Sequence, residues 1–588
     1  MSAMMRILFL SLLLGLVLPP ALAADESPSR TGGTRRPNIL LIITDDQGYG
    51  DLSIQGNPTL RTPHIDRIGL EGARFTRFYS QPVCAPTRAC LLTGRYNYRG
   101  GVVDTYAGRA MLRPDEVTLA ETLRSSNYRT AAIGKWHLGD CTPVRPQDQG
   151  FELAFVHRGG GLSQPSDAPG GRSYFNPIVF HNGRPERAQG YCTDAFTDST
   201  LAFLRDASRS ADTPFFLYLA YNAPHVPLQV PGADLARFRH LGLDETTARV
   251  YAMITNIDRN IGRLLDALAS LHLERDTIVL FLTDNGPQQK RWNADLRGLK
   301  GSVYEGGIRV PALIRWPGHI APETSITSPA GMIDLAPTLL AAAGVALPPH
   351  AQTLDGLNLL PQLLEARSGT EQAGSPPPTD RTLFAQWHRG DAPVSGRAAA
   401  AITARYKVVQ PVWPDQGPPQ WELYDLETDP GETTNLAAAK PEVLEELKAK
   451  YEGWFADVSK SGQSYKPVRI QVGLDAEPET ELTRQDWRGP RASNQQDPLG
   501  AWEIQLMKAG PYDVTARYSP APSVRSLTLR LGTLTWDRTL PAGSDSIRFE
   551  RLNLPAGSAA LEAVITEGAR TYGPEGVAIV GSDLRLEH

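Results

Sequence analysis

Excess charge of one sign, disulfide-forming cysteine and apolar runs of membrane length are all scarce in this chain. Its 588 residues carry 59 Lys and Arg against 64 Asp and Glu, a formal net charge of −5. That balance leaves no electrostatic footprint for nucleic acid or an anionic membrane, so any anion must be met by a local site. Four cysteines occur, Cys84, Cys90, Cys141 and Cys192, too few for a disulfide scaffold. Stability must therefore come from burial, although Cys141 and Cys192 can pair in an oxidising compartment if their geometry permits. The only Asn-x-Ser/Thr sequence is Asn57-Pro58-Thr59, where proline blocks glycosylation, so nothing marks a glycosylated eukaryotic secretory product. The one strongly apolar run, ILFLSLLLGLVL after Arg6, has about a dozen residues where a spanning helix needs roughly 20.

That run, its basic start and Ala-Leu-Ala at 21–23 have the layout of a cleavable signal peptide over residues 1–23. No cysteine follows the cleavage point to make a lipoprotein. The mature chain is expected to be soluble, without stable membrane insertion, in the periplasm or outside a bacterial cell. A 41% hydrophobic content over this length predicts two or three domains with substantial cores.

Past a polar linker at 24–36, apolar runs alternate with helical patterns, which predicts an α/β catalytic domain over 37–380. The runs NILLIIT and TIVLFLT are apolar on both faces, as central strands should be, and they end on Asp45-Asp46 and on Asp284-Asn285-Gly286. Ligands of open α/β sheets gather beyond the carboxyl ends of strands. Three carboxylates and an amide delivered there are hard oxygen donors suited to Ca²⁺ or Mg²⁺. A lone Asp-Asp pair would more simply cap a helix or turn; two matched endings favour a metal. RTAAIG runs similarly into Lys135-Trp136-His137, and FFLYLAY into Asn222-Ala-Pro-His225, so nitrogen donors reach the same rim. Lys300 sits in the Gly-rich stretch LRGLKGSVYEGG, where it is either another cationic contact or an exposed charge. DETTARVYAMITNIDRNIGRLLDAL predicts a long helix capped by Asp244 with an apolar stripe, and DLAPTLLAAAG a shorter one stopped by Gly344.

The segment PVCAPTRACLLTGR places a thiol, Cys84, where a helix begins. A free cysteine would serve as a nucleophile if a basic partner lowered its pKa, but thiol hydrolases attack carbonyls and need no hard cation. CAPTR at 84–88, continued by ACLLTGR, resembles the first signature of the sulfatase family. NYRTAAIGKWHLG at 127–139 resembles the second, with Asn127 where glycine is usual, and ELYDLETDPGETTNL is similar to the end of the family's catalytic region. The resemblance runs from Pro37 to the 430s and implies an alkaline-phosphatase-like α/β fold with a large mixed sheet flanked by helices. It implies that a separate maturation enzyme oxidises Cys84 to formylglycine, reading CxPxR, and that one hydroxyl of the hydrated aldehyde attacks sulfur while the other expels sulfate. Asp45, Asp46, Asp284, Asn285 and modified residue 84 resemble the family's ligands of one Ca²⁺. The resemblance assigns Arg88 to stabilise the hydrated aldehyde and the metal ligands. Lys135, His225 and Lys300 fall to sulfate and leaving-oxygen contacts, and His137 to the second hydroxyl; one of His225 or Lys300 would protonate the departing oxygen.

SGTEQAGSPPPTD at 368–380 reads as a surface insertion. AITARYKVVQ and WELYDL as strands, with the helix PEVLEELKAKYEGWFADV, predict a small sheet-and-helix subdomain over 381–461. Beyond it, VTARYS, SLTLRLG, LTWDRTL, SIRFERLNL and LEAVIT alternate with period two, which predicts an accessory β-sandwich over 462–588. Trp487, Trp502 and Trp536 are read as core before they are read as sugar-stacking surfaces. The loops at 157–175 and near His388 in FAQWHRGD are Gly-rich or polar enough to form a specificity rim; Arg158 and Arg172 either hold a second anionic group on a sugar or are ordinary loop arginines. A sulfated carbohydrate is the preferred substrate class. Three rival readings stand beside it: a phosphoester or phosphonate-ester hydrolase of the same fold, a non-enzymatic carbohydrate-binding protein, and a hydrolase using unmodified Cys84.

Overall fold

Four strands that are buried along almost their whole length lie parallel at the centre of the molecule: β1 (Asn38–Thr44), β2 (Arg129–Lys135), β3 (Phe215–Ala220) and β4 (Thr277–Thr283). Their spatial order is β4-β1-β3-β2. The computed structural model describes residues 35–162, 164–167, 170–210, 212–365, 381–460, 465–493 and 495–582. The expected signal peptide, nearly all of the 24–36 linker and the 368–380 insertion lie outside the described residues. Among the described residues no helix is long and apolar enough to cross a membrane.

Burial on both faces explains the unbroken apolar runs. Along β1, Ile39, Leu41 and Ile43 enter one core, while Leu40 and Ile42 enter the core on the opposite face. Each such side chain stabilises the fold by about 1.5–3 kcal/mol. Antiparallel and shorter strands extend this sheet on both sides to eleven, which gives the mixed sheet flanked by helices that the resemblance implied. The first helix that matters for function, α1 (Cys84–Thr93), has all ten residues buried. The long helix α2 (Glu245–Ser270) is capped by Asp244, whose carboxylate accepts from the Thr247 amide, and it buries Val250, Ile254, Ile257, Ile261 and Leu265 against the sheet. The shorter helix (Leu335–Ala343) stops at Gly344, with φ of 62°.

A second, four-stranded antiparallel sheet follows, with the helix Pro441–Ser459 packed on it. AITARYKVVQ makes two of its strands, Ala399–Ile402 and Tyr406–Gln410, joined by a tight turn at 403–405. The C-terminal strands form one seven-stranded and one four-stranded sheet that share a core. Trp487 and Trp502 are fully buried in it and Trp536 packs at its edge. Core packing, not sugar stacking, occupies the first two rings. Met111, Cys141 and Val144 of the α/β region enter the same core, so the C-terminal sheets are docked onto the α/β region. Across the joint, Cys141 Sγ donates to the Glu481 carbonyl at 3.2 Å and the Thr142 amide to Glu477 Oε2 at 2.9 Å. All four cysteines are free and buried; Cys141 lies in this joint and Cys192 in the core beneath the central sheet.

Candidate active site

The carboxyl ends of β1 and β4 are locked side by side: Asp284 N donates to the Thr44 carbonyl at 3.1 Å, and Asp46 N to Asp284 Oδ1 at 3.3 Å. Asp45, Asp46, Asp284 and Asn285 are consequently all buried at one point. Cys84 reaches the same point as the first residue of α1. The start of that helix is fixed by Thr87, whose hydroxyl donates to the carbonyls of Val83 and Gln81 while accepting from the Gln81 amide. Oxygen and sulfur atoms of Asp45, Cys84 and Asp284 lie within 4.8 Å of one another, as do ligand atoms of Asp45, Asp46 and His225. The positive end of α1 points at this cluster.

Three cationic side chains, Arg88, Lys135 and Lys300, and two imidazoles, His137 and His225, surround it. Arg88 is wholly buried; its Nη2 donates to Asp284 Oδ2 at 2.7 Å and lies 3.8 Å from Asp45 Oδ2, while Nη1 donates to Tyr218 Oη at 3.1 Å. Lys135 pairs with Asp45, and Lys300 Nζ lies 2.6 Å from Asp46 Oδ1. His225 Nδ1 donates to the Val226 carbonyl at 2.8 Å, which directs Nε2 toward Asp46 Oδ2, 3.7 Å away. His137 Nε2 donates to the Thr105 carbonyl at 2.7 Å, because a carbonyl can only accept. That bond fixes the tautomer and leaves the Nδ1 lone pair buried without a protein partner.

Burial dominates the titration of these groups. It raises Asp45 to about 7, with Asp284 adding to the effect and Lys135 opposing it. Burial acts on Asp46 in the same direction, yet Lys300 and His225 together carry it below the ordinary carboxylate range. The Cys84 thiol is pushed up by burial despite Lys135 and Lys300. His137 is held well below its usual value by burial and then by Lys135, and His225 is lowered to about 3 by burial and Lys300. Both imidazoles are neutral near pH 7 in the absence of a bound ion.

A divalent ion fits this donor set. Asp45 Oδ1, Asp46 Oδ2 and Asn285 Oδ1 are buried with no hydrogen-bond partner. They are three hard acceptors beside a third carboxylate, Asp284, an arrangement that is costly unless a cation is shared among them.

The structure brings together the ten residues that the sequence analysis assigned to the metal and the reacting centre: Asp45, Asp46, Cys84, Arg88, Lys135, His137, His225, Asp284, Asn285 and Lys300. It also adds groups the sequence did not point to. Asp46 and His137 adopt left-handed backbone, with φ of 63° and 60°, a conformation costly for such residues and concentrated at functional sites. A Cβ at Gly160 would meet the His137 ring at 2.8 Å, and one at Gly161 the His225 ring at 2.6 Å. The Gly-rich turn therefore backs both imidazoles, and only its lack of side chains allows that approach.

Both loops expected at the outer rim reach the cleft, through Gly160, Gln164 and Pro165 and through Trp387 and Arg389, but Arg158 departs from the role considered for it. Arg158 does not face substrate: it is buried, stacked 3.4 Å over the Phe180 ring, and it acts electrostatically on Asp140 and Asp486 in the joint with the C-terminal sheets. His388 is also turned inward, its Nδ1 donating to the Arg389 carbonyl and its Nε2 accepting from the Val394 amide. Its neighbours Trp387 and Arg389 take the rim instead. They join Tyr106, Tyr304 and Trp413 around a cleft of about 1120 Å³ with Cys84, His137, His225 and Lys300 in its wall.

Comparison with known proteins agrees with this geometry. Residues 37–345 match the sulfatase family model, and residues 299–455 match the model described as the C-terminal region of N-sulphoglucosamine sulphohydrolase. The chain belongs to the sulfatase family and is a sulfuric ester hydrolase. It is 36% identical over 456 residues to human arylsulfatase A, covering 70% of this chain and 87% of that protein. To human N-acetylgalactosamine-6-sulfatase it is 35% identical over 396 residues, covering 61% of this chain and 70% of that protein. Among solved structures, Ps i-CgsB in complex with k-i-k-neocarrahexaose is similar at 30% identity and a TM-score of 0.64, over 73% of this chain and 97% of that one.

Proposed function

We propose that the chain is an exported, formylglycine-dependent sulfatase that binds Ca²⁺ and removes sulfate from a sulfated carbohydrate, and that it works in the periplasm or outside a bacterial cell after a maturation enzyme has oxidised Cys84. The observation that carries the catalytic reading is the position of Cys84. Its thiol is buried among Asp45, Asp284, Lys135 and Lys300, in surroundings that raise its pKa, so as a plain thiol it is a poor nucleophile, while as a modified residue it sits against the metal ligands. The signal-peptide layout of residues 1–23 supports export.

Asp45, Asp46, Asp284, Asn285 and residue 84 would hold the ion, which when bound supplies positive charge to lower the pKa of an oxygen nucleophile and to offset charge on the sulfuryl oxygens. Residue 84, once converted to the aldehyde and hydrated, would supply two hydroxyls on one carbon, one for attack and one for release of sulfate. Arg88 holds Asp284 in place by a charge-assisted hydrogen bond and Asp45 by its charge alone, 3.8 Å away. Lys135 and Lys300 present ammonium groups to the sulfate oxygens, donors fixed in place before charge develops there. Neutral His137, its Nδ1 lone pair free, accepts the proton of the second hydroxyl. Of the two groups expected beside the departing oxygen, Lys300 carries a proton to deliver, whereas neutral His225, its Nδ1 proton held by the Val226 carbonyl, presents only an acceptor at Nε2.

A carbohydrate substrate is supported by the rim. Trp387, Trp413, Tyr106 and Tyr304 line the cleft and offer a sugar apolar ring surface, with Arg389 stacked on Tyr106 and Trp387 and Arg297 on Tyr304. Two of the similar proteins point the same way: one is named an N-acetylgalactosamine-6-sulfatase and the other is solved with k-i-k-neocarrahexaose.

Two results test this reading. Ca²⁺ added to chelator-treated protein will raise its melting temperature, by the equivalent of about 2.7 kcal/mol at a hundredfold excess over Kd, with Mg²⁺ less effective because it demands a smaller octahedral site. Asp284→Ala will abolish most of that shift, and an unchanged melting temperature with either ion in the parent protein would exclude the metal. In paired assays, 4-nitrophenyl sulfate will be turned over at least roughly a hundredfold faster than 4-nitrophenyl phosphate, a preference of about 2.7 kcal/mol. The reverse order would favour the phosphoester reading.

A further inference from the structure

The catalytic cleft is not walled by the α/β region alone. Arg484, Gln485, Ser493 and Gln495, all from the C-terminal sheets, line it together with Cys84, His137 and Lys300. The joint that brings them there is built and fixed. Gln485 Nε2 donates to the Thr105 carbonyl at 2.9 Å, the carbonyl that also accepts from His137, and the Gly108 amide donates to the Gln485 carbonyl at 2.8 Å. The short turn Arg484–Asp486 thus grips the same loop that orients a catalytic imidazole.

The charge of the lining is one-sided. Among the described residues that line the cleft are Arg297, Lys300, Arg389 and Arg484, and not one Asp or Glu. Lys300 belongs to the reacting centre. Arg389 is paired with the buried Asp104 at 2.7 Å, and Arg297 lies 3.8 Å from Glu422. Arg484 differs from all three. Its Nε and Nη2 donate to the carbonyls of Pro574 and Gly573 at 2.8 and 3.0 Å, which hold the guanidinium in place but contribute no counter-charge. Glu575, which acts on it from a distance, is engaged by Ser519 Oγ at 2.5 Å. Burial, and the nearby Arg172, hold its pKa below the ordinary arginine value. A guanidinium pre-positioned by two carbonyls, half desolvated and without an ion pair, is a site prepared for an anion.

We propose that the C-terminal sandwich completes the substrate site, with Arg484 receiving a second anionic group, a sulfate or carboxylate, carried by the same glycan whose sulfate ester is hydrolysed at residue 84. The cleft of about 1120 Å³ exceeds the roughly 300–1,000 Å³ of a pocket for one small ligand, which leaves room for a sugar unit beyond the reacting one. Gln485, bonded through its amide nitrogen to the Thr105 carbonyl, keeps this turn in register with the catalytic wall. The substrate class that follows is a multiply charged oligosaccharide.

The inference rests on the carbohydrate reading, and one experiment separates the two. Initial rates on 4-nitrophenyl sulfate are measured with competing glucosamine and galactose derivatives that carry one or two anionic groups, glucosamine 6-sulfate and glucosamine 2-N,6-O-disulfate among them. The doubly charged competitors are expected to have inhibition constants at least about tenfold lower than their singly charged counterparts, the worth of one charge-assisted hydrogen bond. That ratio will fall to about one in Arg484→Gln and will be largely kept in Arg484→Lys. It will also shrink as salt is raised in the parent protein, a readout that needs no variant to fold. Equal inhibition constants for singly and doubly charged sugars, or a ratio indifferent to salt and to both substitutions, would overturn the role of Arg484 and leave the carbohydrate reading standing. Failure of every sugar to compete would overturn both.

Discussion

Cys84→Ala will fold, lose about 1 kcal/mol of stability from the small buried cavity, and lose sulfate-ester turnover by at least roughly 10⁴-fold, the scale of removing a covalent nucleophile. The expectation follows from what surrounds the side chain. Cys84 is the first residue of a helix whose ten residues are all buried, so its neighbours are held by packing that a missing sulfur atom does not disturb. Its chemistry is another matter. A thiol attacks as thiolate, and here burial, Asp45 and Asp284 oppose ionisation more than Lys135 and Lys300 favour it. An unmodified cysteine would therefore contribute little, and mass spectrometry of the peptide containing residue 84, from protein made in its native host, is expected to find an aldehyde in place of the thiol. Full-rate turnover by protein that keeps the thiol, or by the alanine variant, would remove the basis of the mechanism. Cys84→Ser separates the two parts of that mechanism: a serine can accept the sulfuryl group once but has no second hydroxyl through which to release it, so one equivalent of alcohol followed by arrest is the expected time course.

The parts of this site that sequence reveals are those whose cause is local. NILLIIT and TIVLFLT are apolar on both faces because both faces of β1 and β4 are buried, and the residues at which the pattern breaks, Asp45 and Asp284, are those that leave the sheet. Cys84 and Arg88 lie four apart, so one helical turn carries both into the site. What escapes is set by contacts between distant segments. Arg158 sits in a Gly-rich, polar loop, but its contact with the Phe180 ring and its action on Asp140 appear only once distant strands of the α/β region have met, and its action on Asp486 only after the C-terminal sheets have docked. The loop at His388 reaches the cleft through Trp387 and Arg389 and not through the histidine, because a single backbone amide, that of Val394, claims its Nε2. Gly160 and Gly161 look like loop punctuation, and only the folded chain shows the two imidazoles resting on them. Tyr218 carries no motif at all; strand alternation turns it to the face where Arg88 lies.

The C-terminal sheets repeat this lesson at the scale of a domain. Period-two alternation predicts the strands, and their inward residues build the core as expected, with Trp487 and Trp502 inside it. Nothing in that pattern distinguishes a tethered module from a wall of the active site. The distinction lies in Met111, Cys141 and Val144, scattered apolar residues of the α/β region that the sandwich core absorbs, and in the Gln485 bond to Thr105. Docking on this scale makes the orientation of His137 depend on residues nearly 350 positions away.

Arg88→Met is expected to be the most damaging change to the metal-free protein. The arginine is wholly buried between Asp284 and Asp45, and its Nη1 donates to Tyr218 and the Lys135 carbonyl. Methionine fills much of the volume but leaves two carboxylates facing each other without their shared cation, and breaking such a buried pair costs about 3–5 kcal/mol. Bound Ca²⁺ would carry part of the lost charge, so the loss of stability, read from chemical denaturation, should be largest after chelation and smaller with calcium present; an equal loss in both conditions would mean that Arg88 and the ion do not share those carboxylates. Activity is expected to fall about 10²–10³-fold, the usual consequence of losing one preorganised donor, and residue 84 has to be checked for its aldehyde in the same preparation, since Arg88 also belongs to the CxPxR segment. Arg88→Lys sharpens the reading. It restores the charge but not the planar fork that serves Asp284, Asp45 and Tyr218 at once, so it should recover much of the stability and little of the rate.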